Sequence, residues 1–404
     1  MQSASGRQCF LTQLTVKILR NHTFIRYICI GIKSEHNMLT KFAVTNYRGF
    51  ANRIEWDLSH PANYEFNKTA IKDGIIKNGI LYGPNGSGKT NFSLALFDIE
   101  NHLSQKWKKA DYYDNFIYAG NKNGVVTFEY AFQLGNNEIY YVYAKNASGK
   151  LVEESLSVDN ANIFVRVGNS FQIDKQQFPM DESIERNLGN NANNVSIINF
   201  LRTSYPLDAE HYLIKLSKFV DSMLWFRNLD IREFIGLESS STMLDDFIIR
   251  NNLLDDFSKF LQQVSGQEFK FMVHNTTDKH ILCKIDDDEV PFQLIASTGT
   301  RSLQLLYFWI KRMNEASFVF IDEFDAFYHF KLAYEVCKQL FAMDCQIFTS
   351  SHNTYLMTND LLRPDCNFIL NNNVIKCLAD CTDKELRFGH NIEKIYRAGA
   401  FHEE

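Results

Sequence analysis

Residues Gly83 to Thr90 read GPNGSGKT, a complete match to G-x-x-x-x-G-K-[ST]. Nothing else in the chain constrains the fold as tightly, because this spacing works only between a strand and a helix. The flanks comply: Ile75 to Tyr82 reads as a strand, and Asn91 to Phe97 as the first turns of a helix. Glycines let the backbone wrap closely round phosphates, while successive N–H groups and the helix N-terminus face the negative charge. ATP or GTP is the ligand this loop implies, with Gly83, Asn85, Gly86, Ser87 and Gly88 forming the cradle. Lys89 is expected to reach the β- and γ-phosphates, and Thr90 to offer its hydroxyl to Mg²⁺. The bland alternative is a glycine-rich turn that matches by accident, and the strand and helix on either side argue against it.

The rest of the composition sets outer bounds. A chain of 404 residues holds one large domain or two ordinary ones. With 48 acidic and 42 basic side chains the net charge is −6, which gives no support for a surface coated in basic groups, although a local basic groove is compatible with it. None of the eight cysteines falls in a C-x-x-C pair, so idle or buried thiols in a cytoplasmic protein are the expected reading and a zinc site is not. Phe10 to Ile32 is the most apolar early stretch, but Lys17, Arg20, His22 and Arg26 interrupt it. That pattern is wrong for a membrane span and poor for a signal peptide. Residues 1–37 fit a mitochondrial-type presequence only loosely. They read better as an extension, unstructured or poorly integrated, or as a start assigned too early, with the domain occupying 38–404.

Along that domain the period changes twice. Residues 39–60 read as a hairpin, and Val125 to Val167 as further strands turning at Gly135-Asn136-Asn137. From about 180 to 262 the period becomes helical, with Leu213, Leu216, Phe219, Met223 and Phe226 recurring at i+3 and i+4. Asp286 to Glu289 are four consecutive acids between two strands. A solvated hairpin turn accounts for them more simply than a metal site does.

Three later segments add chemistry. Ser297 and Gly299 lie in a small-residue turn ahead of an amphipathic helix, Leu303 to Ile310, and a helix N-terminus of this kind is a second anion site. Phe318 to Ile321 form an apolar run fit for a buried parallel strand, ending in Asp322-Glu323. Carboxylates at that end of a strand sit where ligands bind in α/β sheets. Asp322 is positioned to hold Mg²⁺ through water, and Glu323 to orient or deprotonate an attacking water. An ordinary surface Asp-Glu is the competing reading, and the P-loop upstream weighs against it. Cys345 to Ser351 is a third strand of this type, followed by His352, which in such a place can contact a γ-phosphate or hold the attacking water.

The order P-loop, Ser-x-Gly turn with helix, Asp-Glu strand, then strand with histidine resembles the heads of ABC-type ATPases over roughly residues 38–400. Ser297 and Gly299 match the signature loop in a degenerate form, Asp322 and Glu323 the Walker B pair, and His352 the switch histidine. Asn46-Tyr47-Arg48-Gly49-Phe50 resembles the N-F-R-x-F element of the branch that includes SMC and RecF proteins, where Arg48 would lie beside the nucleotide. Ile321 to His329 is most similar to the OLD and AbiL/RloA-like ATPases of phage-resistance loci, within the AAA group. The resemblance implies an α/β fold: a P-loop parallel sheet, an N-terminal antiparallel β subdomain, and a helical lid inserted at about 180–262. It implies ATP and Mg²⁺ as cofactors, Glu323 and His352 as catalytic groups, and Thr90 with Asp322 as metal ligands. Gln133 is the candidate for the Q-loop glutamine.

SMC-type proteins need long heptad arms, and the helical part here lacks the length and the sustained repeats. Too few residues follow His352 for the Toprim domain that OLD nucleases carry. A separate effector such as a nuclease is therefore expected beside a cytoplasmic ATPase that dimerises, or assembles further, by sandwiching ATP between heads. The role implied is the sensor or regulatory subunit of an anti-phage abortive-infection system. The alternatives are a RecF-like DNA-repair ATPase and a scaffold that binds ATP tightly and turns over slowly; a transporter ATPase is disfavoured by the signature. The helical part, with the tail at 391–401, is expected to dock a partner or trigger, with Arg227 and Lys218 as exposed positions to replace.

Overall fold

The structure is a computed structural model that describes residues 37–401 apart from 105–111, 192–194, 228–232, 238–242 and 275–279. The expected extension at 1–37 lies outside the described residues except for Asn37, which opens the first strand.

Two seven-stranded sheets carry the fold. One is antiparallel. Its order runs Ser170–Ile173, Ala161–Val167, Leu151–Val158, Asn137–Lys145, Val126–Leu134, Asn37–Thr45, Ile54–Asp57. Val126–Leu134 alternates strictly between buried and half-buried residues, as a strand with one packed face must. The other sheet runs Phe234–Gly236, Leu224–Arg227, Phe318–Asp322, Gln346–Ser351, Asn78–Tyr82, Asn367–Asn371, Val374–Cys377. Its five inner strands are parallel, with one antiparallel strand at each edge. Every residue of Asn78–Tyr82, Phe318–Asp322 and Gln346–Ser351 is buried, the signature of strands covered on both faces. This is the α/β architecture that the resemblance implied.

Aromatic packing and one amide join the sheets. Trp56, on the antiparallel sheet, meets Phe348 and Phe368 of the parallel sheet with ring centroids 4.6 and 5.3 Å apart. It also meets Phe92 of the P-loop helix Lys89–Leu96 at 5.8 Å. The Gln346 side chain accepts from Leu39 N at 3.0 Å and donates to the carbonyls of Leu39 and Ile76 at 2.9 and 3.0 Å. That one amide satisfies backbone groups of two separate strands inside the core. Together these contacts hold the P-loop helix between the sheets.

Local structure departs from the sequence reading at three places. Ile75 to Tyr82 is not one strand: Ile75–Ile76 pairs with Ile71–Lys72 in a small ribbon, and Asn78–Tyr82 enters the parallel sheet. Lys77 makes the break, its Nζ donating to Met343 O at 2.8 Å. The helix carrying Leu213, Leu216 and Phe219 ends at Asp221, and Phe226 belongs to a strand. The stretch at about 180–262 is therefore not simply an inserted helical lid. It contains helices Glu182–Asn191, Ile197–Ser204, Tyr212–Asp221, Leu244–Arg250 and Leu254–Ser265, but Leu224–Arg227 is an inner strand of the parallel sheet. Its buried aromatics suit a parallel sheet better than a helix end. The acidic run forms a hairpin: Leu282–Ile285 and Asp288–Pro291 pair, leaving Asp286 and Asp287 as the turn, with Asp286 at φ 52°. Among the described residues no helix is long and apolar enough to cross a membrane.

Candidate active site

Parallel strands deliver their C-terminal ends to one edge of the sheet, and four of those ends carry the candidate chemistry. Asn78–Tyr82 runs into the P-loop, Phe318–Asp322 ends on the first carboxylate, Gln346–Ser351 precedes His352, and Leu224–Arg227 ends on a guanidinium.

The loop is tight where it must be. A Cβ on Gly83 would lie 2.5 Å from Leu370 O and 2.6 Å from Ser87 Oγ. Gly88 has φ 101°, and its Cβ would lie 2.8 Å from the Phe50 ring. Asn85 and Gly86 are exposed at the tip, and Ser87 is half-buried. Gly88 caps the helix that begins at Lys89. The Lys89 ammonium is buried and donates to Gly83 O at 2.8 Å and Pro84 O at 3.3 Å. Burial lowers its pKa, against the pull of Asp322 and Glu323.

Thr90, Asp322 and Ser350 form one network. Thr90 Oγ1 donates to Asp322 Oδ2 at 2.8 Å, and Ser350 Oγ donates to Asp322 Oδ1 at 2.7 Å. The Glu323 N–H donates to Ser350 Oγ at 2.8 Å, which helps hold that residue at φ 48°. A non-glycine residue there is strained, and the strain turns Glu323 out of the strand direction at the sheet edge. Asp322 is wholly buried and Glu323 half-buried. One residue beyond strand Gln346–Ser351, His352 is exposed; partial desolvation and then the Lys89 ammonium hold its imidazole below the ordinary value. Ser351 Oγ donates to Asp325 Oδ2 at 2.8 Å, and burial raises the Asp325 carboxyl. A hydroxyl beside a carboxylate is a set of hard oxygen donors that fits Mg²⁺, and the glycine cradle fits a phosphate chain.

The Asn46–Phe50 element reaches the same loop. Arg48, at φ 44°, donates from Nη1 to Asn91 Oδ1 at 3.1 Å on the first turn of the P-loop helix, and Phe50 backs Gly88. Ser297 and Gly299 keep other company. Ser297 caps helix Thr298–Arg312 by accepting from Thr300 N at 3.1 Å, and a Cβ on Gly299 would lie 3.0 Å from Phe327 O. Neither neighbour is a P-loop residue.

Two residues escaped the sequence reading. Ser350 joins the Asp322 carboxylate to the Glu323 backbone N–H, and its only signal was its place two residues before His352. Arg227 was expected to be an exposed docking residue. Instead its Nε donates to Asp322 Oδ2 at 3.0 Å and its Nη2 to Thr90 Oγ1 at 3.1 Å. Strand pairing places it there, since Arg227 stands opposite Asp322 in the parallel ladder. Gln133 lies on the antiparallel sheet and bonds its own hairpin at Gly135 O, so it is not part of this site.

With this geometry established, comparison with known proteins decides the family. The family described as "AAA domain, putative AbiEii toxin, Type IV TA system" matches residues 80–358, more than half of the chain. The chain belongs to this family. Its AAA domain makes it a nucleotide-binding ATPase. No curated protein matches it in sequence. Among solved structures, the SMC head domain from Thermotoga maritima is 14% identical with a TM-score of 0.40, covering 83% of this chain and 97% of that one. The Smc head domain with a coiled coil and joint from Pyrococcus yayanosii is 11% identical at a TM-score of 0.44, covering 90% and 100%. The recombination mediator RecF with ATP is 12% identical at 0.38, covering 85% and 99%.

Proposed function

We propose that this ATPase hydrolyses ATP with Mg²⁺ at a site shared between two heads, and that it serves as the sensor or regulatory subunit of an anti-phage abortive-infection system. The observation that carries the catalytic part is the meeting of Lys89, Thr90, Asp322 and Glu323 at one sheet edge. Bound Mg²⁺ would supply charge to the phosphates, with Thr90 and Asp322 holding it. Lys89 gives up its P-loop carbonyls for the β- and γ-phosphate oxygens. Glu323 orients and deprotonates the attacking water, and His352 steadies that water or the γ-phosphate. Arg48 and Asn91 support the nucleotide from the helix side.

The second head follows from the signature turn. Ser297 and Gly299 have neighbours other than their own P-loop, which supports a role at a partner's nucleotide. Leu294, Ile295 and Phe327 are exposed apolar side chains next to that turn or touching it, a surface suited to burial between copies. The family description and the net charge of −6 favour a defence role over a general DNA-binding one. A separate effector, such as a nuclease, would read the closed state, and Lys218, exposed on helix Tyr212–Asp221, lies on a surface open to it.

Single-turnover and steady-state hydrolysis test the reading. Glu323→Gln is expected to bind ATP, dimerise in light scattering and lose about a hundredfold in turnover. Lys89→Ala is expected to lose most of its nucleotide affinity. Wild-type turnover in Glu323→Gln would sink the assignment, and strong stimulation of hydrolysis by DNA would move the reading to a RecF-like repair ATPase.

A further inference from the structure

Arg227 belongs to none of the motifs above, yet its guanidinium spans the two oxygens assigned to Mg²⁺. Nε donates to Asp322 Oδ2 at 3.0 Å, and Nη2 to Thr90 Oγ1 at 3.1 Å. Thr90 Oγ1 donates in turn to the same Asp322 Oδ2 at 2.8 Å. The three groups form a closed triangle. A guanidinium has donors only, so each bond it makes here uses a lone pair that a metal ion or its water would need. Asp322 is wholly buried, and a buried carboxylate needs a compensating positive charge. Only a quarter of the Arg227 side chain is exposed, so its contact with Asp322 is not a loose surface pair.

We infer that Arg227 is a tethered counter-ion that competes with Mg²⁺ for Thr90 and Asp322. Two like charges have no room on one carboxylate oxygen and one hydroxyl, so binding of the metal requires the guanidinium to leave. A second partner is at hand. Arg227 Nη1 lies 3.7 Å from Glu233 Oε2, and the Arg227 N–H already donates to Glu233 O at 3.1 Å. A rotation of the side chain toward Glu233 releases Asp322 without moving the strand. The exchange makes Mg²⁺ binding weaker than the oxygen donors alone would give. It also ties the metal to the strand Leu224–Arg227, whose Trp225 Nε1 donates to Ser93 Oγ of the P-loop helix at 3.0 Å.

The inference rests on the nucleotide reading of the site, and the test separates the two. A fluorescent ATP analogue is titrated into the full chain in excess Mg²⁺ and again in excess EDTA, and the ratio of the two affinities gives the benefit of the metal. For R227M that ratio is expected to rise about tenfold over wild type, the worth of one charge-assisted hydrogen bond no longer surrendered. R227K keeps the charge but loses the fork, and is expected to fall between them. Should R227M fail to fold by circular dichroism, R227K carries the test alone. An unchanged or smaller ratio in whichever variant folds overturns the competition and makes Arg227 an aid to metal binding or a bystander. A wild-type chain that binds no analogue, with or without Mg²⁺, overturns the nucleotide reading itself.

Discussion

Two glycines of the P-loop look alike in the sequence and are expected to respond very differently to alanine. Gly86 and Gly88 both have positive φ, at 78° and 101°. A side chain in that region costs about 1–2 kcal/mol, and both substitutions incur it. Only Gly88 adds a clash. Its Cβ would lie 2.8 Å from Phe50 Cζ and 3.0 Å from Cε1, whereas nothing lies within 4 Å of a Cβ on Gly86. Phe50 is buried and packs edge-on against Phe92 at 6.4 Å, so it cannot retreat cheaply. Overpacking of this kind costs about 1–3 kcal/mol. Gly86→Ala should therefore cost about 1–2 kcal/mol and Gly88→Ala about 2–5 kcal/mol. With an unfolding entropy of about 2.1 cal/mol/K per residue over 404 residues, each kcal/mol is roughly 1 °C in Tm. Scanning calorimetry should find Gly88→Ala lower than wild type by about 2–6 °C and Gly86→Ala by about 1–2 °C. Phe50→Leu combined with Gly88→Ala should recover part of the loss, because the two positions share one contact. The reasoning fails if Gly86→Ala is the more damaging, or if the double variant shows plain additivity.

Two further outcomes follow from charges. Glu154 and Arg166 form a wholly buried pair at 2.8 Å, and Glu154 also accepts from Tyr141 Oη and Ile197 N. Arg166→Met should cost about 3–5 kcal/mol in urea unfolding, and Glu154→Gln added to it should restore part. If the single variant unfolds like wild type, the pair is not holding the antiparallel sheet to the helix at Ile197. His352 titrates below its ordinary 6.5, through desolvation first and the Lys89 ammonium second. A lowered histidine stays neutral in the folded protein while the unfolded chain takes up the proton. Its contribution to stability is thus complete above 6.5 and lost as the pH falls through that value toward the folded one. Wild type should lose stability over that window relative to His352→Gln, and parallel curves would refute the shift.

What was legible in the sequence is what phosphate chemistry fixes along the chain. Gly83 to Thr90 had to be contiguous, because one loop must turn its own N–H groups inward. Asp322 and Glu323 were readable because the strand before them is apolar and the carboxylates end it. Arg227 and Ser350 were not, because their roles arise across strands. Arg227 lies 95 positions from Asp322, and Ser350 lies 28 away; each meets it only through parallel pairing. Spacing within one segment carries no trace of that register. The same blindness misassigned Phe226, whose i+3 spacing from Met223 continued a helical period into what is a strand. Gln133 failed for the complementary reason: its residue type suited the role, but its strand lies in the other sheet.

The placement of Leu224–Arg227 also changes where a signal can travel. Helix Tyr212–Asp221 and this strand are consecutive, separated by Ser222 and Met223, and the strand ends on Arg227, opposite Asp322. A helical part attached only as a flap would feel nucleotide indirectly, through closure of two heads. Here one backbone segment runs from that helix to Arg227 beside Asp322 and Thr90, and Trp225 links it sideways to the P-loop helix through Ser93. A partner bound to the exposed side of the helix, around Lys218, would act on the strand that presents Arg227. By linkage, a partner that prefers one position of Arg227 changes Mg-nucleotide affinity, and the nucleotide changes partner affinity by the same factor. Arg227 is thus unsuited to testing partner docking, since replacing it alters the nucleotide site directly. Lys218 is suited to it, because its side chain is exposed and its helix is continuous with the strand that presents Arg227.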